Sequence, residues 1–281
     1  MLLIFDSNYV GYVSAFALSQ GMAYRGNRTE VIFGFLKQII SLCLKFQPDQ
    51  VAFCWDSRSS KRKEMLPEYK ENRKKDLTDE EKESLSLVYD QFNEIRDVVL
   101  PMLGFNNVFL VDGYESDDTI ANIVFGKDPP KTIVITSDND LLQLLDHCSL
   151  YSITKRQSTN KEIFCREYGI APHEWVMVKA IAGCGSDNVP GVKGVGEKTA
   201  VAYLKGESKG KRKQDIEQSS DIIERNIQLV KLPFKGCPTP KLRRNDLSIE
   251  KFRLVCREYG MESLLSTKQI SEWASIAALI S

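Results

Sequence analysis

Nitrogen and sulfur ligands are scarce in this chain. Its 281 residues contain two histidines, His147 and His173, and none of its seven cysteines falls in a CxxC pair. That excludes a disulfide framework and a zinc-finger type of site, and it leaves reduced, structural thiols. No run reaches 18 apolar residues, so no membrane span is expected. The opening MLLIFD has no basic leader and meets an acid at position six, which points to an unexported, cytoplasmic protein. There is no GxSxG elbow and no cysteine beside a histidine, so covalent nucleophile schemes have little to build on. Internal repeats are also absent.

Formal net charge is zero, but the charges are sorted along the chain. Residues 57–75 carry eight bases against three acids, and residues 205–213 carry five bases against one acid. Residues 112–146 carry eight acids against two lysines. An acidic centre flanked by basic surfaces is what metal-dependent chemistry on a polyanion requires.

Four short apolar runs end in acids: LLIF before Asp6, VAFCW before Asp56, NVFLV before Asp112 and Glu115, and TIVIT before Asp138 and Asp140. Continuous apolar runs alternating with helical segments predict a buried parallel sheet in an α/β fold, where ligands bind beyond the carboxyl ends of the strands. A single acid at a strand end is commonly a helix cap; four such ends on one edge ask for more. Residues 57–100 read as charged and helical, with Thr78 and Glu81 spaced as a capping box. The polar, glycine- and serine-bearing segment 205–220 is expected to be a loop. Beyond about residue 165 helical patterns dominate, which places a soft boundary there.

In GYESDDTIANIV, Glu115, Asp117 and Asp118 open a helix, where the positive end of the dipole tolerates clustered acids. In TSDNDLLQLL, Asp138 and Asp140 are two apart, so an extended backbone projects both the same way. With Asp6 and Asp56 this makes seven carboxylates, a hard oxygen set that suits Mg²⁺ or Mn²⁺. Two such ions can hydrolyse a phosphodiester. In PEYKENRKK, Lys70 and Arg73 are three apart, sharing a face if helical. That is the spacing of a clamp on a scissile phosphate, with Tyr69 as a stacking platform for an unpaired base.

The stretch GCGSDNVPGVKGVGEKTA, residues 183–200, separates Gly191 and Gly196 as a nucleotide P-loop does, but Glu197 stands where the P-loop lysine must be. The preceding HEWVMVKAIAG has helical and not strand periodicity. The stretch therefore reads as helix, glycine turn, helix. Backbone N–H groups over Gly194, Val195, Gly196, Glu197 and Thr199, with Lys193 and Lys198, would hold a nucleic-acid phosphate without reading sequence.

Taken together and in order, FDSN, WDSR, YKENR, GYESDD, TSDNDLLQL, SDNVPGVKGVGEKTA and RNIQLVKLP resemble the 5′ nuclease superfamily. That superfamily comprises flap endonucleases, the 5′-nuclease domain of bacterial DNA polymerase I, and standalone bacteriophage-type exonucleases. The resemblance implies a PIN-like parallel-sheet nuclease core over residues 1–165, with a helical arch at about 57–100, and a helix-hairpin-helix DNA-binding subdomain over 166–281. It implies a standalone, monomeric enzyme of a bacterial or phage-infected cell that cleaves 5′ flaps, 5′ ends or RNA primers in replication. Branched or 5′-ended DNA, RNA–DNA duplex and a single-strand-binding protein are the partners it suggests.

Residue by residue, it implies a first metal site at Asp6, Asp56, Glu115 and Asp117, with Asp118 between, and a second at Asp138, Asp140 and Asp187. Lys70 and Arg73 fall on the arch positions, and main-chain carbonyls of Ile181, Ala182, Pro190, Val192 and Val195 on a K⁺ site. One departure stands out: the family's Gly-Asp-x-Ser-Asp-Asn is here Gly183-Cys184-Gly185-Ser186-Asp187-Asn188. A thiol is a poor Mg²⁺ ligand, so the second ion is expected to be held more weakly. A catalytically weak structure-specific DNA-binding protein is the alternative reading, and a PIN-type ribonuclease a third.

Overall fold

The computed structural model describes residues 1–17, 22–74, 78–126 and 131–280. The apolar runs form strands because both of their faces are covered. In β1 (Leu2–Asp6), Leu3 and Phe5 join one core while Leu2 and Ile4 join another on the opposite face. Such burial on two sides removes the apolar/polar alternation of a half-exposed strand. After α1 (Ser7–Ala17), a small hairpin of β2 (Ala23–Tyr24) and β3 (Asn27–Arg28) leads to α2 (Glu30–Phe46) and β4 (Gln50–Trp55).

Residues expected to form a helical arch give two short 3-10 turns, Lys61–Glu64 and Glu71–Lys74, followed by α3 (Asp79–Glu94). The Thr78–Glu81 capping box is present at the start of α3: Glu81 N donates to Thr78 Oγ1 at 3.2 Å and Thr78 N to Glu81 Oε2 at 2.8 Å. The arch is thus not one helix. Lys70 has φ +58° and breaks the run, so Lys70 and Arg73 do not share a helical face. The Arg73 side chain lies outside the described residues.

The chain continues through α4 (Leu100–Leu103), β5 (Val108–Leu110), α5 (Ser116–Phe125), β6 (Thr132–Ile135), β7 (Ser149–Ser152) and β8 (Gln157–Thr159). The six main strands lie in the order β5-β4-β1-β6-β7-β8, all parallel except β8. From β1 the chain goes first to β4 on one side and later to β6 on the other. That reversal opens a crevice at the carboxyl end of β1, where α/β sheets bind ligands.

Then follow α6 (Lys161–Tyr168), α7 (Trp175–Ala182), a two-residue ribbon of β9 (Gly183–Cys184) and β10 (Val189–Pro190), α8 (Glu197–Leu204), α9 (Gly210–Glu217), α10 (Ser220–Val230), α11 (Ile249–Glu258) and α12 (Thr267–Ile280). Helix α9 corrects the expected loop at 205–220; its Ile216 is fully packed and holds an otherwise polar helix in place. Helices beyond residue 165 pack into the same two cores as the sheet. Phe252 of α11 stacks on Trp273 of α12 at 4.4 Å, and Trp273 meets Phe105 edge-on at 6.2 Å, in the same core as Phe5 and Phe53. On the other face Trp175, Val178 and Ala200 pack with Ile4. No helix among the described residues is long and apolar enough to cross a membrane.

Candidate active site

Asp6 ends β1 and is only 7% exposed. Its Oδ2 accepts from Thr136 Oγ1 at 2.9 Å and its Oδ1 from Ser116 Oγ at 3.4 Å. Burial, then the neighbouring Asp56 and Asp138 charges, push its pKa up to about 7 against the pull of the Thr136 bond. Asp56 follows β4, and its Oδ1 accepts the backbone N–H of Ser116 at 2.8 Å. The first N–H of α5, which has no partner inside its own helix, is therefore satisfied by an acid from the next strand.

Asp117 lies one residue further on, half-buried. Burial and the charges of Asp138, Asp6, Asp56 and Glu115 hold its carboxyl well above the usual range. Asp138 is lifted to about 6, by burial and then by Asp140. Ser116, which lies between Glu115 and Asp117 and donates to both Asp6 and Asp56, and Thr136, which donates to Asp6 and accepts Asp138 N at 3.1 Å, bring these acids around one crevice. The sequence expectation of an extended Asp138–Asp140 pair is corrected: Asp138 caps a 3-10 turn over Asn139–Leu144, accepting Asp140 N at 2.8 Å. Both acids nonetheless line the same cleft of about 440 Å³, with Asp6, Lys179, Cys184 and Asp187.

Glu115 is engaged by the arch. Lys70 Nζ lies 2.7 Å from its Oε1, and the Tyr69 hydroxyl donates to its Oε2 at 3.1 Å. Burial raises its pKa, with Lys70 and Arg62 opposing. Tyr69 is 4% exposed, and the same hydroxyl lies 3.3 Å from Asp187 Oδ2, so its ring offers no face for an unpaired base. The stacking expectation is corrected on that ground.

Asp118 leaves the metal set as well. Arg62 grips it in two parallel bonds at 2.6 and 2.8 Å, and the N–H groups of Phe234 and Glu115 donate to it at 2.7 and 3.1 Å. Four donors on a fully buried carboxylate occupy the lone pairs an ion would need. Arg62 also donates from Nε to Leu229 O at 2.8 Å, which ties the arch to α10. Burial works against the Arg62 charge, and the Asp118 contact outweighs it, raising its pKa.

Among the described residues, the one set of His, Cys, Asp and Glu donors with three ligand atoms within 4.8 Å of one another is Asp140, Cys184 and Asp187. Sequence reasoning missed a further member of this neighbourhood. Lys179 of α7, 7% exposed, holds Asp140 Oδ1 at 2.9 Å and Glu197 Oε1 at 3.3 Å. Burial disfavours its charge, but Asp140 more than compensates and raises its pKa. The only sequence signal was a lone basic residue on the otherwise apolar helix WVMVKAIA.

The hairpin between α7 and α8 forms as expected. Gly183 has φ +75°, and a Cβ on Gly191 would sit 2.3 Å from Ala182 O, so only glycine lets the two backbones touch. Val192 and Val195 are buried beneath the turn, while Lys193, Gly194, Gly196 and Lys198 are exposed on it. Thr199 accepts from Arg212 Nη1 at 3.4 Å, and Glu197 reaches Lys179, which links the hairpin to the acid cleft. The potassium set loses Pro190, whose carbonyl accepts from Asn226 Nδ2 at 2.9 Å and Arg225 Nη2 at 3.3 Å. The Ile181 and Val192 carbonyls each accept one backbone N–H.

Residues 1–169 match the family described as 5′-3′ exonuclease, N-terminal resolvase-like domain. The chain is 33% identical over 241 residues to a DNA polymerase I of Caldicellulosiruptor bescii, covering 81% of this chain and 26% of that one. It is 35% identical over 188 residues to a 5′-3′ exonuclease of Bacillus subtilis, covering 64% of this chain and 60% of that one. It thus spans about a quarter of the first relative and three fifths of the second. Its fold is shared with a bacteriophage T5 flap endonuclease solved as a pseudo-enzyme–product complex with DNA and metal ions. There the TM-score is 0.69 and the identity 22%, with 99% of each chain covered. Because the matched residues include every strand of the six-stranded sheet and all the acids that end them, the chain belongs to the 5′-3′ exonuclease family of the 5′ nucleases.

Proposed function

We propose that this protein is a divalent-metal-dependent, structure-selective 5′ nuclease that hydrolyses phosphodiester bonds at 5′ flaps, 5′ ends or RNA primers in DNA replication. The observation that carries the reading is the gathering of Asp6, Asp56, Glu115, Asp117 and Asp138 at the carboxyl ends of neighbouring parallel strands, where burial and mutual repulsion raise the pKa values of Asp6, Asp117, Glu115 and Asp138. A site that resists carrying its own negative charge is a site built for a cation. Membership of the 5′-3′ exonuclease family and the DNA and metal ions of the T5 structure support it.

Asp6, Asp56, Glu115, Asp117 and Asp138 would hold Mg²⁺ or Mn²⁺, since hard oxygens in an open arc suit an ion that keeps several of its waters. When bound, such an ion supplies Lewis-acid polarisation of the phosphoryl oxygen and activation of water. The chain's own groups do the rest. Lys70, poised over Glu115, neutralises charge on the scissile phosphate, and the family resemblance assigns Arg73 a share of that task. The hairpin of Lys193, Gly194, Val195, Gly196, Glu197, Lys198 and Thr199 grips a backbone phosphate further along the duplex, giving orientation without sequence preference. A K⁺ ion there would rest on carbonyls of Ile181, Ala182, Val192 and Val195. In a bacterial or phage-infected cell such an enzyme would work in the cytoplasm, where the DNA is replicated.

A 5′-labelled flap substrate tests the reading. Short labelled products in Mg²⁺ or Mn²⁺ are expected, and none in chelator. Tight binding with no cleavage in either metal, or cleavage of single-stranded RNA alone, would overturn it.

A further inference from the structure

On the nuclease reading a second divalent ion belongs beside Asp140 and Asp187, and the donors present there do not fit magnesium. One of the three is the sulfur of Cys184, and one of the two carboxylates, Asp140, is already paired at 2.9 Å with the ammonium of Lys179. The Lys179 ammonium, which Asp140 shares with Glu197, offsets part of the charge of the two carboxylates. Mg²⁺ is held by charge on hard oxygens and gives up its waters reluctantly, so it is poorly served by such a pocket.

We propose that Asp140, Cys184 and Asp187 form a site for one thiophilic divalent ion, of the zinc, cobalt or cadmium class, while magnesium is confined to the arc of Asp6, Asp56, Glu115, Asp117 and Asp138. The two metal positions of this chain then differ in chemistry. Donors on one tetrahedral zinc-class ion stand roughly 3.7 Å apart, given metal–sulfur and metal–oxygen lengths of about 2.3 and 2.2 Å. The three donors here lie within 4.8 Å of one another, so a closure of at most about 1 Å completes the site.

The sulfur is also held in place. Cys184 pairs with Val189 in the β9–β10 ribbon, its Sγ lies 3.1 Å from Ser186 Oγ, and the ribbon is locked by the close approach of Gly191 to Ala182. Cys184 lines both the open cleft beside Asp6 and the narrow gap behind Tyr69. On binding, the sulfur–hydrogen bond breaks and a sulfur–metal bond forms, with the proton released to solvent and no change of oxidation state.

Cobalt(II) titrated into the metal-free full chain, read by absorption, tests this directly. One equivalent is expected to raise an intense thiolate-to-cobalt charge-transfer band that excess magnesium does not remove. The band is lost in both Cys184→Ser and Cys184→Asp. Calorimetry should find one magnesium ion per wild-type chain and two per Cys184→Asp chain. No band in the wild type, a band that survives in either variant, or two magnesium ions of similar affinity in the wild type would overturn the proposal. Should Cys184→Ser fail to fold, Cys184→Asp and the wild-type magnesium count still decide. None of these readings uses cleavage, so an inactive protein would sink the nuclease reading and leave this one standing on its own result.

Discussion

Lys70 holds its ammonium 2.7 Å from a carboxylate oxygen of Glu115 while its backbone sits in the left-handed region, φ +58°. That conformation costs a non-glycine residue roughly 1–2 kcal/mol. It is secured by Lys70 N donating to Asp187 O at 2.9 Å, so the arch is pinned to both halves of the acid cleft. Lys70 and a divalent ion want the same carboxylate. Lys70→Ala should therefore bind Mg²⁺ more tightly, by about fivefold, the ~1 kcal/mol of a partly exposed ion pair. Its single-turnover cleavage should fall by about 10²-fold or more, through loss of charge stabilisation at the phosphate. Calorimetry and rapid-quench kinetics on one protein batch would read the two opposite changes, and parallel losses would show that Lys70 does not compete with metal.

Asp117 and Asp118 are neighbours with different work. Asp118 belongs to a buried pair with Arg62, and removing one partner of such a pair costs about 3–5 kcal/mol. Asp118→Asn should lower unfolding stability by an amount of that order while leaving magnesium affinity within about twofold. Asp117→Asn should do the reverse, cutting cleavage by about 10²-fold or more without loss of stability. Urea unfolding and metal titration of the two variants distinguish them; an Asp118 variant of normal stability that no longer binds metal would restore Asp118 to the ligand set.

Raised carboxyl pKa values make the metal-free protein sensitive to base. Asp6 is lifted from an ordinary 3.8 to about 7 and Asp138 from 3.8 to about 6, with burial first among the causes. Between those limits the folded chain keeps protons that the unfolded chain has released. Unfolding free energy must then fall as pH rises from about 4 through 7, by on the order of a few kcal/mol, nearly all of it from the buried Asp6, because Asp138 is exposed and its share is screened by solvent. Divalent ions replace the protons, so their stabilisation should grow over the same window. Melting in chelator at pH 5 and pH 8, with and without Mg²⁺, checks the sign. Asp6→Asn should flatten the chelator slope, and a chelated protein that melts higher at pH 8 would contradict the assignment.

What was legible in the sequence is what local pattern encodes. The runs ending at Asp6, Asp56 and Asp138 announce buried strands, Thr78 and Glu81 announce a capped helix, and the glycines around Lys193 announce a turn. The sequence did not reveal which acid would meet a base. Arg62 reaches Asp118 across 56 positions, and Lys179 reaches Asp140 from a different helix. Such pairs depend on where the sheet places its loops, and no spacing rule records that. Tyr69 was misread for the same reason: the segment's basic, exposed composition concealed that its ring and hydroxyl turn inward to Glu115 and Asp187. Helix α9 was missed because its polar composition suggests a loop, while tertiary packing of Ile216 decides the conformation.

Lys198 is exposed in the first turn of α8, beside the glycine turn that presents backbone N–H groups. If this hairpin grips a backbone phosphate, the contact releases counterions and its strength falls with salt. Lys198→Ala should weaken binding to a nicked or flapped duplex about equally for every sequence. It should also lower the slope of log affinity against log salt by about one unit, the signature of one lost phosphate contact. Because Lys198 lies outside the acid arc, magnesium affinity should not change. Fluorescence anisotropy at four or five salt concentrations, with Lys193→Ala as a companion, gives the slopes. An unchanged slope in both variants would mean that the duplex does not sit on this hairpin, and that the phosphate grip must be sought elsewhere on the basic surface.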